Sequence, residues 1–363
     1  MSDQAQRAKV VFVLPSLTAG GAERVLLTLM DGLDRARFEP ALVAVNSQGT
    51  LKDLIHPDIA FHDLKSRRFL LSLPALCCTL KKLRPAIVVS TMAHMNFAVL
   101  LLKPFFPKTR FIVREAVTPS FILDAHPLLT PVIKAAYRFL YPRADMVISP
   151  AQAIIDEFGG LGMICRNHVL LRNPVDMERI RSAFIAGDKN RKAVHFIAAG
   201  RLHRQKGFDR LIEILPRMKS FCEWKLTILG EGPERAALET LVKEKGFADK
   251  VNLPGASEKP WLHYAAADCF LLPSRWEGLP NVVLEALACG TRVIASREAG
   301  GIGEIAKLAP EGAVTVADDM TGFLKAMEAV RPAPSATLRD SLLPREFEMK
   351  TISAQFAGLL SGS

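Results

Sequence analysis

The feature that most constrains this chain is an alternation, run through twice, of short apolar stretches with longer stretches of helical spacing. In the first half, Val10–Leu14, Ala41–Val45, Ile87–Ser90, Phe111–Val113 and Met146–Ser149 are near-continuous apolar runs. A strand with one wet face alternates polar and apolar residues, so runs apolar throughout belong to strands covered on both faces. Between them, Ala22–Leu33 and Pro131–Tyr141 carry helical spacing. Strand, helix, strand repeated in this way predicts an α/β chain with a parallel, doubly wound sheet. The pattern restarts with Val194–Ala199, Lys225–Leu229, Val251–Leu253, Cys269–Leu272, Arg292–Ala295 and Ala313–Val316. A chain of 363 residues also exceeds one ordinary core. The expected architecture is two Rossmann-like domains facing across a cleft, over residues 1–176 and 177–345. The hinge falls in the polar stretch Asn173–Lys192, which ends in GDKNRK, and RPAPSA (Arg331–Ala336) reads as a surface linker. The closing segment 346–363, helix-like over Phe347–Leu360, is expected to cross back to the first domain. Ligands of open α/β sheets bind beyond the carboxyl ends of the strands, which places the site in the cleft.

Three constellations sit at such strand ends. In RWEGLPNVVLEALACG (Arg275–Gly290), a loop leaves the apolar run CFLLPS and enters a helix over about Pro280–Cys289, with Pro280 in its first turn and Gly290 at its C-terminal cap. The N-terminus of that helix offers backbone N–H groups and the positive end of the macrodipole to a phosphate. Glu277 precedes the helix and Glu285 lies inside it. Two acids eight residues apart would by themselves be solvated side chains. Behind a buried strand and an EGLPN turn they become acceptors for vicinal sugar hydroxyls. In AAGRLHRQKGFDRLIEIL, Arg201 and Lys206 follow a buried strand five residues apart, a spacing that can clamp a diphosphate; His203 and Arg204 read as solvated loop charges. In PSLTAGGAERVLLTLM, Gly20 and Gly21 open a helix after the first strand and let a ligand approach backbone N–H groups. Neither this turn nor GEGPERA (Gly230–Ala236) completes a dinucleotide fingerprint.

Charge is distributed unevenly. The formal net charge is +10, yet Lys65–Arg143 holds 13 Lys and Arg against only Glu115 and Asp124, so this segment alone carries +11 and the remainder −1. A local excess of this size points to an anionic partner. The cations are interleaved with long aliphatic stretches rather than stacking aromatics, and no nucleic-acid module is legible, which argues against nucleic acid. Basic residues beside apolar ones suit an anionic membrane surface. The six cysteines form no CxxC pair and read as reduced core thiols in a cytoplasmic protein. No secretory signal and no membrane-spanning run is expected.

Taken in this order, the motifs resemble the retaining nucleotide-sugar glycosyltransferases of family 4, of GT-B fold. The resemblance covers nearly the whole chain. It is strongest in GRLHRQKG, LTILGEGPERAAL, VNLPG and PSRWEGLPNVVLEALACGTRVIAS, and extends to GGAER, VVSTMAHMN, VREAVTP and LRNPVD. It implies that Glu285 binds the nucleotide ribose, that Glu277 contacts donor-sugar hydroxyls, and that Arg201 and Lys206 neutralise the leaving diphosphate. Gly278, Leu279, Pro280 and Asn281 resemble the loop that cradles donor sugar and phosphate, and Gly20 and Gly21 the glycine loop of the acceptor domain. Many relatives carry a His near the end of the strand equivalent to Ile87–Ser90, and His94 stands four residues past that Ser. Arg114 and Glu115, which also end a strand, are candidate acceptor-site residues. The resemblance implies no cofactor and a dispensable metal, consistent with the lack of an Asp-x-Asp, since two cations would do the metal's electrostatic work.

The expected activity is therefore retaining transfer of a hexose or N-acetylhexosamine, from a UDP-sugar rather than a GDP-sugar, to a lipid-linked or lipopolysaccharide-type saccharide. The expected location is the inner face of the cytoplasmic membrane. A soluble acceptor is the alternative, followed by a UDP-sugar epimerase, which would need more acids and His in the first domain. A basic nucleic-acid-binding protein is the rival from another class.

Overall fold

A computed structural model describes residues 7–18, 20–66, 69–182, 192–219, 222–333 and 338–362. Most of GDKNRK and the PSA of RPAPSA lie outside the described residues. The chain forms two compact units, Met1–Pro174 with Met349–Ser363, and Val175–Glu348.

The first unit is built on a seven-stranded sheet: β1 (Ala8–Leu14), β2 (Phe38–Ala44), β3 (Ala60–Asp63), β4 (Ile87–Thr91), β5 (Arg110–Arg114), β6 (Met146–Ser149) and β7 (His168–Leu170), in the order β3-β2-β1-β4-β5-β6-β7. The second has six: β8 (Val194–Ala199), β9 (Trp224–Leu229), β10 (Val251–Gly255), β11 (Cys269–Leu272), β12 (Arg292–Ser296) and β13 (Val314–Ala317), in the order β10-β9-β8-β11-β12-β13. Every pairing is parallel. Strand order reverses between β1 and β4 in one sheet and between β8 and β11 in the other, the two switch points of a doubly wound pair. These are the two Rossmann-like sheets that the sequence pattern predicts. Eleven of the thirteen strands coincide with the apolar runs. The two that do not, β3 and β7, are the edges of the first sheet, where no residue is fully buried. With one flank open, an edge strand has no need of a continuous apolar run.

Right-handed crossovers fix the helices to faces. The Gly21–Asp31 helix shares its layer with the Met349–Ser361 helix. The latter buries Ile352, Phe356 and Leu360, and Phe356 lies 6.2 Å from Phe12 of β1, ring to ring. Arg110 Nη1 donates to the carbonyl of Leu360 at 2.6 Å, closing that helix's C-terminal end. On the opposite face, the helices following β4, β5 and β6 form one layer: Ala93–Leu102 packs on Thr130–Leu140, and Pro119–Ala125 touches both Thr130–Leu140 and Gln152–Gly160. All six cysteines are free. Cys269 and Cys289 are core thiols as expected, but Cys78 is exposed. None of the described helices is long and apolar enough to cross a membrane.

A polar cluster sits inside the first unit and corrects one expectation. Arg114 and Glu115 are wholly buried, at 2% and 0% exposure, so neither presents a side chain to a ligand here. Arg114 turns to the Thr91 hydroxyl and the Asn173 amide oxygen. Asn96, also buried, accepts from Ser90 Oγ at 2.7 Å and donates to the Arg114 carbonyl and Glu115 Oε1, both at 3.0 Å. Glu115 Oε2 and the Tyr137 hydroxyl have no hydrogen-bond partner of good geometry. Exclusion of water pushes the Glu115 carboxyl from its ordinary 4.5 up to about 8, against the opposing pull of Asn96 and Arg114. The folded state therefore keeps a proton that the unfolded chain releases above pH 4.5, so the contribution of Glu115 to stability is fully present below that value and is lost as pH rises toward 8. Glu115→Gln keeps the acceptor for Asn96 and removes the ionisation. Its urea midpoint is expected to match the wild type near pH 4.5 and to exceed it above pH 8, where the wild type has lost a few kcal/mol; equal midpoints above pH 8 would contradict a neutral buried Glu115.

Candidate active site

The strand reversal in the second sheet sets β8 beside β11, with Cys269 opposite Phe196 and Phe270 opposite Ile197. The segments leaving their carboxyl ends, 71 residues apart in sequence, are thereby neighbours in space. Lys206 follows β8 and Glu277 follows β11, and Lys206 Nζ donates to Glu277 Oε1 at 2.6 Å. Both side chains are largely shielded, at 16% and 9% exposure, so the pair is far less screened than a surface ion pair. The same Oε1 accepts from Ser274 Oγ at 2.7 Å, and Ser274 is itself fully buried. One carboxylate oxygen is thus held from two sides, and Oε2 is left to other donors.

The two loops are laced together by residues that sequence reasoning did not single out. Arg210 donates from Nε to the Pro273 carbonyl at 2.7 Å and from Nη2 to the Ser274 carbonyl at 2.8 Å. Arg275 grips Asp209 through two bonds of 2.7 Å, the geometry that makes an Arg–carboxylate pair strong. Gln205 Nε2 donates to the Trp276 carbonyl at 3.0 Å. Gly207, at φ +68°, packs where a Cβ would stand 2.0 Å from the Pro273 carbonyl oxygen, so the approach of the two loops requires glycine there. Arg275 lay within the quoted motif, but its partner is 66 residues away and no spacing rule connects them.

The remaining candidates fall at strand ends as well. The helix after β11 spans Asn281–Ala288, with Pro280 at its N-cap and Gly290, at φ +73°, past its C-terminal end. Gly278, Leu279 and Pro280 are buried, and the Gly278 carbonyl accepts from Gly301 N–H at 2.8 Å, tying the loop to the segment after β12. Glu285 is half-buried on that helix. Burial and the Glu285 charge together push the neighbouring Cys289 thiol up to about 12. Arg201 is exposed and, among the described residues, makes no hydrogen bond or ion pair. His203, read as a solvated charge, accepts at Nδ1 from Gln205 N–H at 3.2 Å and so caps the short turn that carries Lys206.

In the first unit, the switch point lies between β1 and β4. Gly20 precedes the Gly21–Asp31 helix after β1. The buried Glu23 carboxylate folds back so closely that a Cβ on Gly20 would stand 2.0 Å from its Oε2. Burial raises the Glu23 pKa, opposed by a bond to backbone N–H. His94 lies in the first turn of the Ala93–Leu102 helix after β4, entered through Met92 at φ +74°, a conformation a non-glycine residue holds only where its surroundings enforce it. Its side chain is exposed at the edge, yet partial desolvation lowers its pKa and favours the neutral ring.

Two doubly wound units, each with a switch point in its sheet, are the architecture of the GT-B fold. Residues 181–332 match the model for glycosyl transferases group 1, and residues 19–179 that for glycosyltransferase family 4. The chain belongs to this family of glycosyltransferases. It is 29% identical over 309 residues, 82% of this chain and 83% of the relative, to an N-acetylgalactosamine-N,N'-diacetylbacillosaminyl-diphospho-undecaprenol 4-alpha-N-acetylgalactosaminyltransferase of Campylobacter jejuni. To the amylovoran biosynthesis glycosyltransferase AmsD of Erwinia amylovora it is 25% identical over 275 residues, 74% of either chain. The crystal structure of Anabaena HepE in complex with UDP superposes with a TM-score of 0.77 over 98% of this chain and 100% of the other, at 18% identity, a likeness of fold.

Ser274→Ala removes one of the two groups that hold Glu277 Oε1 without touching Lys206. Losing a hydrogen bond to a charged acceptor, about 1.5 kcal/mol, is expected to lower turnover roughly tenfold with an unchanged melting temperature. Initial rates of nucleotide-sugar consumption test this; full turnover in the variant would show that Lys206 alone orients the carboxylate.

Proposed function

We propose that this glycosyltransferase moves a hexose or N-acetylhexosamine from a nucleotide sugar, UDP- in preference to GDP-linked, to a lipid-linked or lipopolysaccharide-type saccharide, with retention of anomeric configuration. One observation carries the reading: the shielded contact between Lys206 Nζ and Glu277 Oε1 at the β8/β11 switch point, where phosphate and sugar ligands of such sheets bind. In this reading Lys206 and the unengaged Arg201 meet the diphosphate, and Glu277 receives hydroxyls of the donor sugar. Glu285 receives the ribose, and the Gly278–Asn281 loop with the helix N-terminus behind it lines the donor. As the sugar–phosphate bond breaks, negative charge grows on the diphosphate, and a fixed ammonium stabilises that state more than the ground state. The departing phosphate oxygen takes the proton of the attacking acceptor hydroxyl on the same face of the sugar, which gives retention. In this reading the two cations, Lys206 and Arg201, do the electrostatic work of a metal, and transfer needs none. In the first unit, the Gly20–Gly21 turn and the neutral His94 serve the acceptor.

Support for a lipid-linked acceptor comes from the Campylobacter relative, whose name specifies a diphospho-undecaprenol substrate. The basic excess of Lys65–Arg143, 13 cations against two acids in sequence with Arg114 buried, agrees with it, since exposed cations draw the first domain to the inner, anionic face of the cytoplasmic membrane. UDP as the nucleotide is supported by its presence in the Anabaena HepE complex.

Lys206→Ala is expected to lower kcat by one to two orders of magnitude, about 1.5–3 kcal/mol, and Glu285→Ala to raise the donor KM by a similar factor with less effect on kcat. Steady-state kinetics with a panel of UDP- and GDP-sugars separates the two; an unchanged kcat in Lys206→Ala would sink the clamp. Product analysis by NMR is expected to give the donor's own anomer, at a rate that EDTA leaves unchanged. An inverted linkage, or activity lost to chelator and restored by Mg²⁺, would overturn the mechanism.

A further inference from the structure

The Thr130–Leu140 helix has two apolar faces. Ile133, Tyr137 and Leu140, at spacings of four and three, are buried against the first unit. On the other side Val132 and Phe139 are 66% and 65% exposed, with the exposed Ala135 between them, a second stripe at spacings of three and four. The turn before the helix adds Leu128 at 93% and Leu129 at 53% exposure. A surface helix ordinarily turns polar residues to solvent. Among the described residues, nine large hydrophobic side chains are exposed, and all nine lie in the first unit, between Leu71 and Ile164. Leu101 lies at the end of the neighbouring Ala93–Leu102 helix and Phe105 in the turn after it, and Leu161 and Ile164 follow the Gln152–Gly160 helix of the same layer.

The charges on the stripe's own helix are of one sign, and exposed Asp124, at the end of the preceding helix, is the acid nearest Leu128 in sequence. The helix carries exposed Lys134 and Arg138 and no acid. Near its end, a notch of about 580 Å³ is lined by Lys103, Arg143 and Arg166 with Pro104, Pro107 and Pro142. The acid in that notch, Asp145, is bonded to Lys103 and to the Phe111 N–H. By contrast the Leu73–Leu83 helix, whose Lys81, Lys82 and following Arg84 are exposed, buries Leu76 and Leu80, so the aliphatics of that part of the basic segment belong to the core.

We infer that the Leu128–Phe139 stripe, flanked by Lys134 and Arg138, is the face by which the first unit inserts into an anionic phospholipid bilayer. Apolar side chains with cations along their flank match the interface of such a membrane, where aliphatics enter the acyl boundary and ammonium and guanidinium groups meet phosphates. A two-fold contact with a second copy would instead set Lys134 and Arg138 against their own counterparts. The inference deepens the membrane association proposed above. Its test uses no transfer reaction, so the two readings can fail separately.

The full chain is floated with phosphatidylcholine vesicles, with and without phosphatidylglycerol. Wild type is expected to float with the anionic vesicles and to stay behind with neutral ones. Val132→Glu with Phe139→Glu, and separately Lys134→Glu with Arg138→Glu, are each expected to lose about tenfold or more of the bound fraction, as expected for removing interfacial cations or apolar anchors. Melting temperature and UDP binding should be unchanged, since none of the four residues is part of the donor site. Wild-type protein that does not float, equal flotation with neutral vesicles, or a Val132→Glu, Phe139→Glu variant that floats normally would overturn the inference. So would a wild-type dimer in light scattering that this variant dissolves. Flotation as expected, with UDP binding absent in wild type, would leave the surface standing and remove the proposed donor.

Discussion

The reversal of strand order between β8 and β11 is the constraint on which the donor end of this molecule depends. Two adjacent parallel strands whose chains leave in opposite directions leave a crevice at their carboxyl ends that no crossover helix covers. Into it the sequence delivers a cation from one side and a carboxylate from the other. The bond between Lys206 and Glu277 is short because the backbones carrying them are pinned by Arg210, by the Arg275–Asp209 fork and by the glycine contact at Gly207. A lysine on its own flexible stem would not hold a carboxylate at a fixed point. Here the loops are rigid first, and the ion pair inherits their geometry.

The first unit repeats the same topology with different contents. Its switch-point loops present a glycine turn and an imidazole rather than a clamped ion pair. Behind them lies a buried polar cluster around Asn96 and Glu115. Such a cluster costs stability unless every group is well paired, and Glu115 Oε2 and the Tyr137 hydroxyl, which interact with each other, make no hydrogen bond of good geometry. Keeping the carboxyl protonated lessens the expense of burying it, which is why its pKa lies so high. Met92, with φ +74° at the end of β4, is a second departure from relaxed geometry in the same region. Strain at Met92 and the poorly paired Glu115 thus lie at the ends of two adjacent strands, β4 and β5, and such departures often cluster at working surfaces.

The uneven charge acquires a location in the folded chain. The basic segment spans several helices, some of whose apolar residues are ordinary core. Among the described residues, the Thr130–Leu140 helix turns a second apolar stripe to solvent beside its cations. Charge and hydrophobicity that were merely interleaved along the sequence separate in space into an inner packing face and an outer face with a distinct chemistry.

The sequence alone determined the fold class, because wholly apolar runs separated by helical spacing can be satisfied only by strands covered on both faces. Eleven strands were legible on that ground, as were the Asn281–Ala288 helix bearing Glu285, from its Pro and Gly punctuation, and the strand ends followed by Arg201, Lys206 and Glu277. The edge strands β3 and β7 were not, since half-open strands lack the apolar signature. Tertiary structure alone decided which groups meet. Ser274 and Arg210 became supports of the site through contacts spanning up to 64 residues, while Arg114 and Glu115, at a strand end like the others, turned inward. A strand's end fixes where a side chain starts. Whether it ends in solvent or in the core depends on what the neighbouring strands and helices place beside it, and that is a long-range fact that no local pattern encodes.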